Sequence, residues 1–274
     1  MIFCIGNGES RKDFDLETLR NYGKIYGCNG LYRDFTPDVL VAMDFNICHE
    51  IYRSGYAFKH PVYLKQWTKC PASMYSKLFY KETIDKFIGG VDNVSVYTNE
   101  WSWPNQKKRF FVCWANNKDI MEKLREERKD WHEDDYKLHL SKDQEGYTIT
   151  WTKKKDKVMG FGKYKNDKTN AGMLIAYMAS DKDDIIYLIG YDYYSKTKTV
   201  NNLYKGTKGY VGEKAASINP HNWITHTKLL LNKFPNHKYI HVGEGKPFDE
   251  LKDRTNIEWI TYQQLDERLN SRIL

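Results

Sequence analysis

The chain opens on an apolar run, Met1-Ile2-Phe3-Cys4-Ile5, that stops at Gly6-Asn7-Gly8 and gives way at once to polar residues. A run without apolar/polar alternation reads as a strand buried on both faces, the kind found in parallel sheets covered by helices. Such a strand, ending in a tight glycine turn, delivers its carboxyl end to the place where open α/β sheets bind phosphorylated ligands. With no Cβ at Gly6 or Gly8 a pyrophosphate can approach closely, and the backbone amides of Gly8, Glu9 and Ser10 are expected to point at it. The same glycines also suit a turn that holds no ligand.

The pattern continues along the chain. Residues 23–28 and 38–43 read as two more short buried strands, ending near Asn29 and Asp44, and Asp15-Leu16-Glu17-Thr18-Leu19 starts a helix with acidic residues in its first turn. A helical stretch near 46–53, a strand led by Pro61 and apolar strand-like runs at 94–97 and 109–113 follow. Residues 117–130 carry opposite charges four apart, as an exposed helix does, and 136–151 alternates about Gly146 as a hairpin does. Beyond it come a small-residue helix at 171–180, a central strand at 185–189 ending in Gly190, a polar loop at 195–218, a helix at 220–234, a strand at 238–242 and a final strand-helix pair at 257–270. This predicts an α/β fold, a mostly parallel sheet flanked by helices, as one domain over 1–274 with a β-hairpin or lid inserted at 116–165.

At 274 residues the chain can bury one large core, and its 41% hydrophobic and 29% charged content is ordinary for a globular protein. No apolar run approaches the roughly 18–20 residues of a membrane span, and no basic region precedes an apolar one at the N-terminus. Neither a signal peptide nor a membrane span is expected, and a cytoplasmic location is. The five cysteines, odd in number and without a CxxC pair, suit reduced core thiols better than disulfides or zinc. The net charge of +7 gives a general attraction to polyanions, with lysines dense at 105–109 and 153–168.

Ligands of parallel sheets sit outside the strand carboxyl ends, which singles out Gly6-Asn7-Gly8-Glu9-Ser10, Asn29, Asp44, Gly190 with Asp192, and the polar turn after His241. GNGESR lacks the third glycine of a dinucleotide fingerprint, and no GxxxxGK[ST], HExxH, GxSxG or kinase signature is present.

The motifs IGNGESR (5–11), GCNGLY (27–32), VAMD (41–44), TNAGM (169–173), LIGYDYY (188–194) and HNWITHTK (221–228) occur in one order. In that order they resemble the bacterial sialyltransferases with a Rossmann-like fold, and the related domains that include the archaeal hydroxymethylpterin pyrophosphokinases. The resemblance implies a nucleotide site at Gly6, Asn7, Gly8, Glu9, Ser10, Asn29, Asp44, Asn170 and Gly172. Asp44 stands where the sialyltransferases have Asn. It implies a departing phosphate held by Lys168, Tyr194 and a second tyrosine, Tyr204 or Tyr210, with Lys168 in place of an arginine. His226, in His226-Thr227-Lys228, is the nearest counterpart of the catalytic histidine, and Asp192 joins it at the fifth motif.

The leading expectation is a glycosyltransferase that moves a sugar from a nucleotide-sugar donor to an acceptor hydroxyl, with no cofactor required. Imidazole suits deprotonation of a hydroxyl near neutrality, and tyrosine hydroxyls, a lysine and backbone amides can stabilise a leaving phosphate. The acceptor is a glycan, or a modified base in DNA held by the lysines with Trp101, Trp103 and Trp151 for stacking. Two other classes stay open. Asp44 and Asp192 facing one pyrophosphate would suit a Mg²⁺-dependent diphosphate transfer, and the same pocket would serve a nucleotide-binding module that turns nothing over.

Overall fold

The computed structural model describes residues 1–44, 47–48, 50–51, 54–64 and 170–271, together with the backbone of the strands between 68 and 153 named below. Lys168 and the expected helix at 117–130 lie outside the described residues, as do the side chains of Trp101, Trp103 and Trp151. The chain divides into two compact units, one of Met1–Met43, His60–Lys65 and Met159–Leu274, the other of Asp44–Lys59 and Gln66–Val158.

The first unit is the α/β fold that the buried runs predict. Seven of its strands run parallel: β1 (Ile2–Ile5), β2 (Lys24–Cys28), β3 (Val39–Ala42), β4 (Val62–Leu64), β5 (Ile185–Ile189), β6 (Lys238–Gly243) and β7 (Ile257–Thr261), side by side in the order β4-β3-β2-β1-β5-β6-β7. Successive side chains point to opposite faces. Ile2 and Cys4 of β1, with Ile186 and Leu188 of β5, therefore join one core, while Phe3 and Ile5, with Tyr187 and Ile189, join the other. Burial on both sides is why these strands read as unbroken apolar runs. Cys4, Cys28 and Cys48 are buried and form no disulfide with one another.

Helix α1 (Ala171–Ser180) lies across β1, β2 and β5 and is buried along its whole length. Its small residues permit this: Trp223 of helix α2 (His221–Lys233) lies over Gly172, where a Cβ would come within 2.8 Å of the ring. Helix α3 (Tyr262–Asn270) begins with a reciprocal capping box between Thr261 and Gln264 and covers the opposite face with Leu265 and Leu269.

Between β1 and β2 the expected α-helix is instead a six-residue 3₁₀ helix, Leu16–Asn21, capped by Asp15. The tighter helix rises about 2.0 Å per residue against 1.5 Å, so the short connection returns along the sheet with fewer residues. The stretch near 46–53 is helical at 47–48 and 50–51.

The second unit is larger than the lid expected at 116–165. Its six-stranded sheet has the order Thr68–Lys69, Tyr136–Lys142, Tyr147–Lys153, Gln106–Ala115, Val94–Trp103, Phe87–Val91. The predicted hairpin is present, with Tyr147 opposite Lys142, and a longer one pairs Val94 with Ala115. One pairing, Thr148 with Phe111, is parallel.

Candidate functional site

The chain builds β2, β3 and β4 on one side of β1 and then returns on the other side with β5, so the strand order reverses between β1 and β5. The crevice outside the carboxyl ends at such a point is where open sheets bind ligands. Here the glycine turn meets the tip of β5. The Gly6 amide donates to the Ile189 carbonyl at 2.7 Å and the Gly8 amide to Gly190 at 3.0 Å. A Cβ on Gly6 would overlap the Gly190 carbonyl oxygen, and one on Gly8 would overlap the Asp192 carboxylate.

The amides expected to cradle a phosphate are therefore already engaged. Besides the Gly8 bond, the Glu9 amide donates to Asn201 Oδ1 at 2.7 Å and the Ser10 amide to Asp192 Oδ2 at 2.9 Å, with the Ser10 hydroxyl donating to Asp192 Oδ1. The turn does present donors to an anion, but the anion is the protein's own carboxylate. A carboxylate beside the first residues of a helical turn, here Glu9–Arg11, is favoured by the orientation of those amides.

The open space lies one step further, in a cleft of about 170 Å³. Asn7 and Gly8 from the tip of β1, Asn29 after β2, Tyr193 after β5 and the first turn of α1 border it. Asn170 caps α1, its Oδ1 accepting from the Met173 amide at 2.8 Å. Helix geometry leaves the Ala171 and Gly172 amides without an intrahelical carbonyl, and both residues line the cleft. Asn29 (φ +48°) and Tyr193 (φ +54°) are the non-glycine residues with positive φ among the described residues, and both border this cleft. Left-handed backbone at such residues costs on the order of 1–3 kcal/mol and collects at ligand sites. Asn29 Oδ1 accepts from the Met43 amide, and the Tyr193 hydroxyl meets Thr227 of α2 at 2.6 Å.

The loop at 195–218 forms the opposite wall, pinned by the two tyrosines expected to hold phosphate. Tyr204 is buried, its hydroxyl donating to Asp34 at 2.7 Å and accepting from Arg11 at 3.2 Å. The Tyr210 hydroxyl accepts from the Gly30 amide at 2.7 Å and lies 3.4 Å from Asn7 Nδ2. Burial raises the pKa of both phenols above the ordinary value, so they stay protonated. Both hydroxyls are spent on the fold; neither residue borders the cleft. Arg11, 5% exposed, donates to the Gly6 carbonyl at 2.6 Å and ties the turn to this wall. Sequence reasoning missed it, although a lone arginine directly after the turn was the signal.

A second cleft, about 340 Å³, adjoins the first, and Asp192, Ser195 and Asn201 border both. Tyr194 belongs to this one; desolvation first, and then the bond its hydroxyl donates to Glu250, lift its pKa to about 12. His241, on the inward face of β6, borders it too. His226 is half-buried on α2 and lines neither cleft. Asp44 is the exposed first residue of the second unit, its carbonyl accepting from the Cys48 amide. Among the described residues no group of three or more His, Cys, Asp or Glu side chains gathers as metal ligands would.

Burial lowers the His241 pKa below its ordinary value, opposed by the hydrogen bond to Tyr191 and the charge of Asp192. The sign follows: the folded chain keeps His241 neutral while the unfolded chain takes up a proton as pH falls through about 6.5. His241 therefore contributes its full stability above that pH and loses it on further acidification. Urea unfolding from about pH 7.5 to about pH 5 should show a steeper loss for the natural chain than for His241→Phe, about 1.4 kcal/mol for each unit separating the two pKa values.

Compared with models of known protein families, with curated proteins and with solved structures, the chain finds no match. No helix among the described residues is long and apolar enough to cross a membrane.

Proposed function

We propose that the first unit binds a nucleotide in the cleft between the tips of β1 and β5. We further propose that the chain moves a sugar from a nucleotide-linked donor to an acceptor hydroxyl, the activity its resemblance to the Rossmann-like sialyltransferases implies. The observation that carries the binding proposal is a convergence. The first amides of α1, which have no intrahelical carbonyl, the residues Asn7 and Asn29 and the left-handed backbone of Asn29 and Tyr193 all border the cleft where the strand order reverses. The phosphate belongs at the start of α1, where helix amides and dipole favour an anion, and not at the Gly6-Asn7-Gly8 turn, which Asp192 fills. A donor longer than the first cleft extends past Asp192 into the second.

A second reading, binding without turnover, is favoured by His226, which borders neither cleft. Release of free nucleotide from a nucleotide sugar on long incubation with an acceptor decides between the two. EDTA-resistant release also excludes a strictly Mg²⁺-dependent diphosphate transfer.

The binding proposal is tested by a thermal-shift series with CMP, UMP, UDP, GDP, ADP and ATP, with and without Mg²⁺. A nucleotide present at about 100 times its Kd stabilises the chain by roughly 2.7 kcal/mol. Asn29→Gly tolerates the left-handed backbone and removes the amide, so it should weaken binding about tenfold, one hydrogen bond's worth, while the chain still folds. If no nucleotide shifts the melting temperature, the proposal fails.

A further inference from the structure

The whole net charge of the chain resides in one segment. Between Tyr193 and Gly243 stand eight lysines and one carboxylate, Glu213, while the other 35 basic and 35 acidic residues cancel. Five of the eight lysines lie in the loop at 195–218 that walls the first cleft. Lys196 and Lys205 are matched to Glu244 and Glu9, whereas Lys198, Lys208 and Lys214 are exposed and form no ion pair among the described residues. A surface of one sign concentrates ligands of the other.

The backbone holds these lysines at the edge of the cleft. Residues 198–200 pair with 215–217 in a short antiparallel ladder: the Ser217 amide donates to the Lys198 carbonyl and the Val200 amide to Ala215, both at 2.9 Å, about a bridge between Thr199 and Ala216. Val200 and Ser217 border the cleft, so Lys198 stands in register with its rim and Lys214 one residue beyond the ladder. The bonds of Tyr204 and Tyr210 fix the rest of the loop. An anion therefore meets a wall that is already ordered, at little cost in chain entropy. Next to Ser217, Ile218 is 71% exposed, and it shares the cleft border with the half-buried Trp223, an apolar rim on a polar loop.

Lysines along a wall beside an apolar and aromatic rim suit a chain of phosphates that carries bases. A base inside a duplex is stacked and does not reach such a rim, so the chain is single-stranded. A membrane surface fits less well, because the apolar side chains of α2, Ile224, Leu230 and Leu231, are buried in the core and have no face left to insert.

We infer that the loop at 195–218 binds a single-stranded nucleic acid, with Lys198, Lys208 and Lys214 on its phosphates and one base against Ile218 and Trp223. Binding of the strand stands apart from the nucleotide proposal; that the strand is the acceptor of the sugar rests on the transfer proposed above.

The test is fluorescence anisotropy of the full chain with labelled ten-nucleotide oligothymidylate DNA, oligouridylate RNA and a hairpin duplex, from 50 to 200 mM KCl. One or both single strands should bind at least tenfold more tightly than the duplex, and the two arms tell DNA from RNA. Changing Lys198, Lys208 and Lys214 together to Gln should lower affinity tenfold or more at 50 mM and flatten the slope of log affinity on log salt by about 2, at roughly 0.7 for each phosphate contact. Ile218→Asp should cost about tenfold. A control with Lys24, Lys182 and Lys252 changed to Gln removes the same charge elsewhere and should stay within twofold; all seven positions are exposed, where substitution leaves the fold intact. No binding of either strand, a duplex held as tightly, an unchanged affinity or slope in the loop variant, an equal loss in the control, or retention on phosphatidylserine vesicles in place of the strands overturns the inference. The thermal-shift series reads free nucleotides, so a chain that answers to a nucleotide and holds no strand loses this inference alone.

Discussion

Gly6→Ala should lower the stability of the chain by about 3 kcal/mol, read as a fall in the urea midpoint with little change in slope. The added methyl meets the Gly190 carbonyl, a backbone atom held in place by the parallel pairing of β1 with β5. Neither strand can yield without breaking the Gly6 to Ile189 and Gly8 to Gly190 hydrogen bonds. Gly212→Ala is the matching control, since no atom lies within 4 Å of the added methyl. There the change should be neutral or stabilising by about 0.5 kcal/mol, because alanine restricts the unfolded chain. Equal effects at the two positions would contradict the close approach of the two strand tips.

Arg11→Ala should cost about as much for a different reason. The guanidinium is buried, donates to the Gly6 carbonyl, and shares the Tyr204 hydroxyl with Asp34. Hydrogen bonds from a charged donor contribute about 1.5–3 kcal/mol, and removing the donor leaves buried acceptors unpaired. A loss of about 3 kcal/mol is expected, and Arg11→Lys should restore little of it, since an ammonium cannot reach both partners in one plane. Tyr204→Phe should cost less alone. In the double variant the losses should fall short of additive, by 0.5 kcal/mol or more, because the two residues share one network. The Arg11 variant also loosens the loop at 195–218 that walls the first cleft, so any nucleotide affinity should fall with it.

The sheet was legible because its strands are buried on both faces. Ile185–Ile189 and the helix Ala171–Ser180 occupy the residues the apolar pattern assigns them, while Asn170, expected at the nucleotide site, caps that helix. What the pattern could not carry is pairing at long range. The Glu9 amide is taken by Asn201 and the Ser10 amide by Asp192, partners nearly 200 positions away that no local periodicity encodes. The same limit hid the roles of Tyr204 and Tyr210, whose surface-loop sequence reads as available hydroxyls until Arg11, Asp34 and Gly30 are brought beside them. His241 was visible only as a histidine inside an apolar strand. That signal marks a buried imidazole but says nothing of its bond to the Tyr191 carbonyl. The extent of the second unit was hidden for another reason: only the apolar parts at 94–97 and 109–113 of the ten-residue strands Val94–Trp103 and Gln106–Ala115 stood out, and it is their pairing that makes a sheet.

The carboxylate of Asp192, seated on the Ser10 amide and hydroxyl, has a consequence for competition. Because it is tethered, it faces the turn at an effective concentration on the order of millimolar or higher. A free inorganic anion at lower concentration does not displace it. The turn that most resembles a phosphate trap is thus closed by a resident competitor. Anions that bind this chain are sorted by whether they reach the start of the helix at Ala171, across the cleft from the turn that first suggests them.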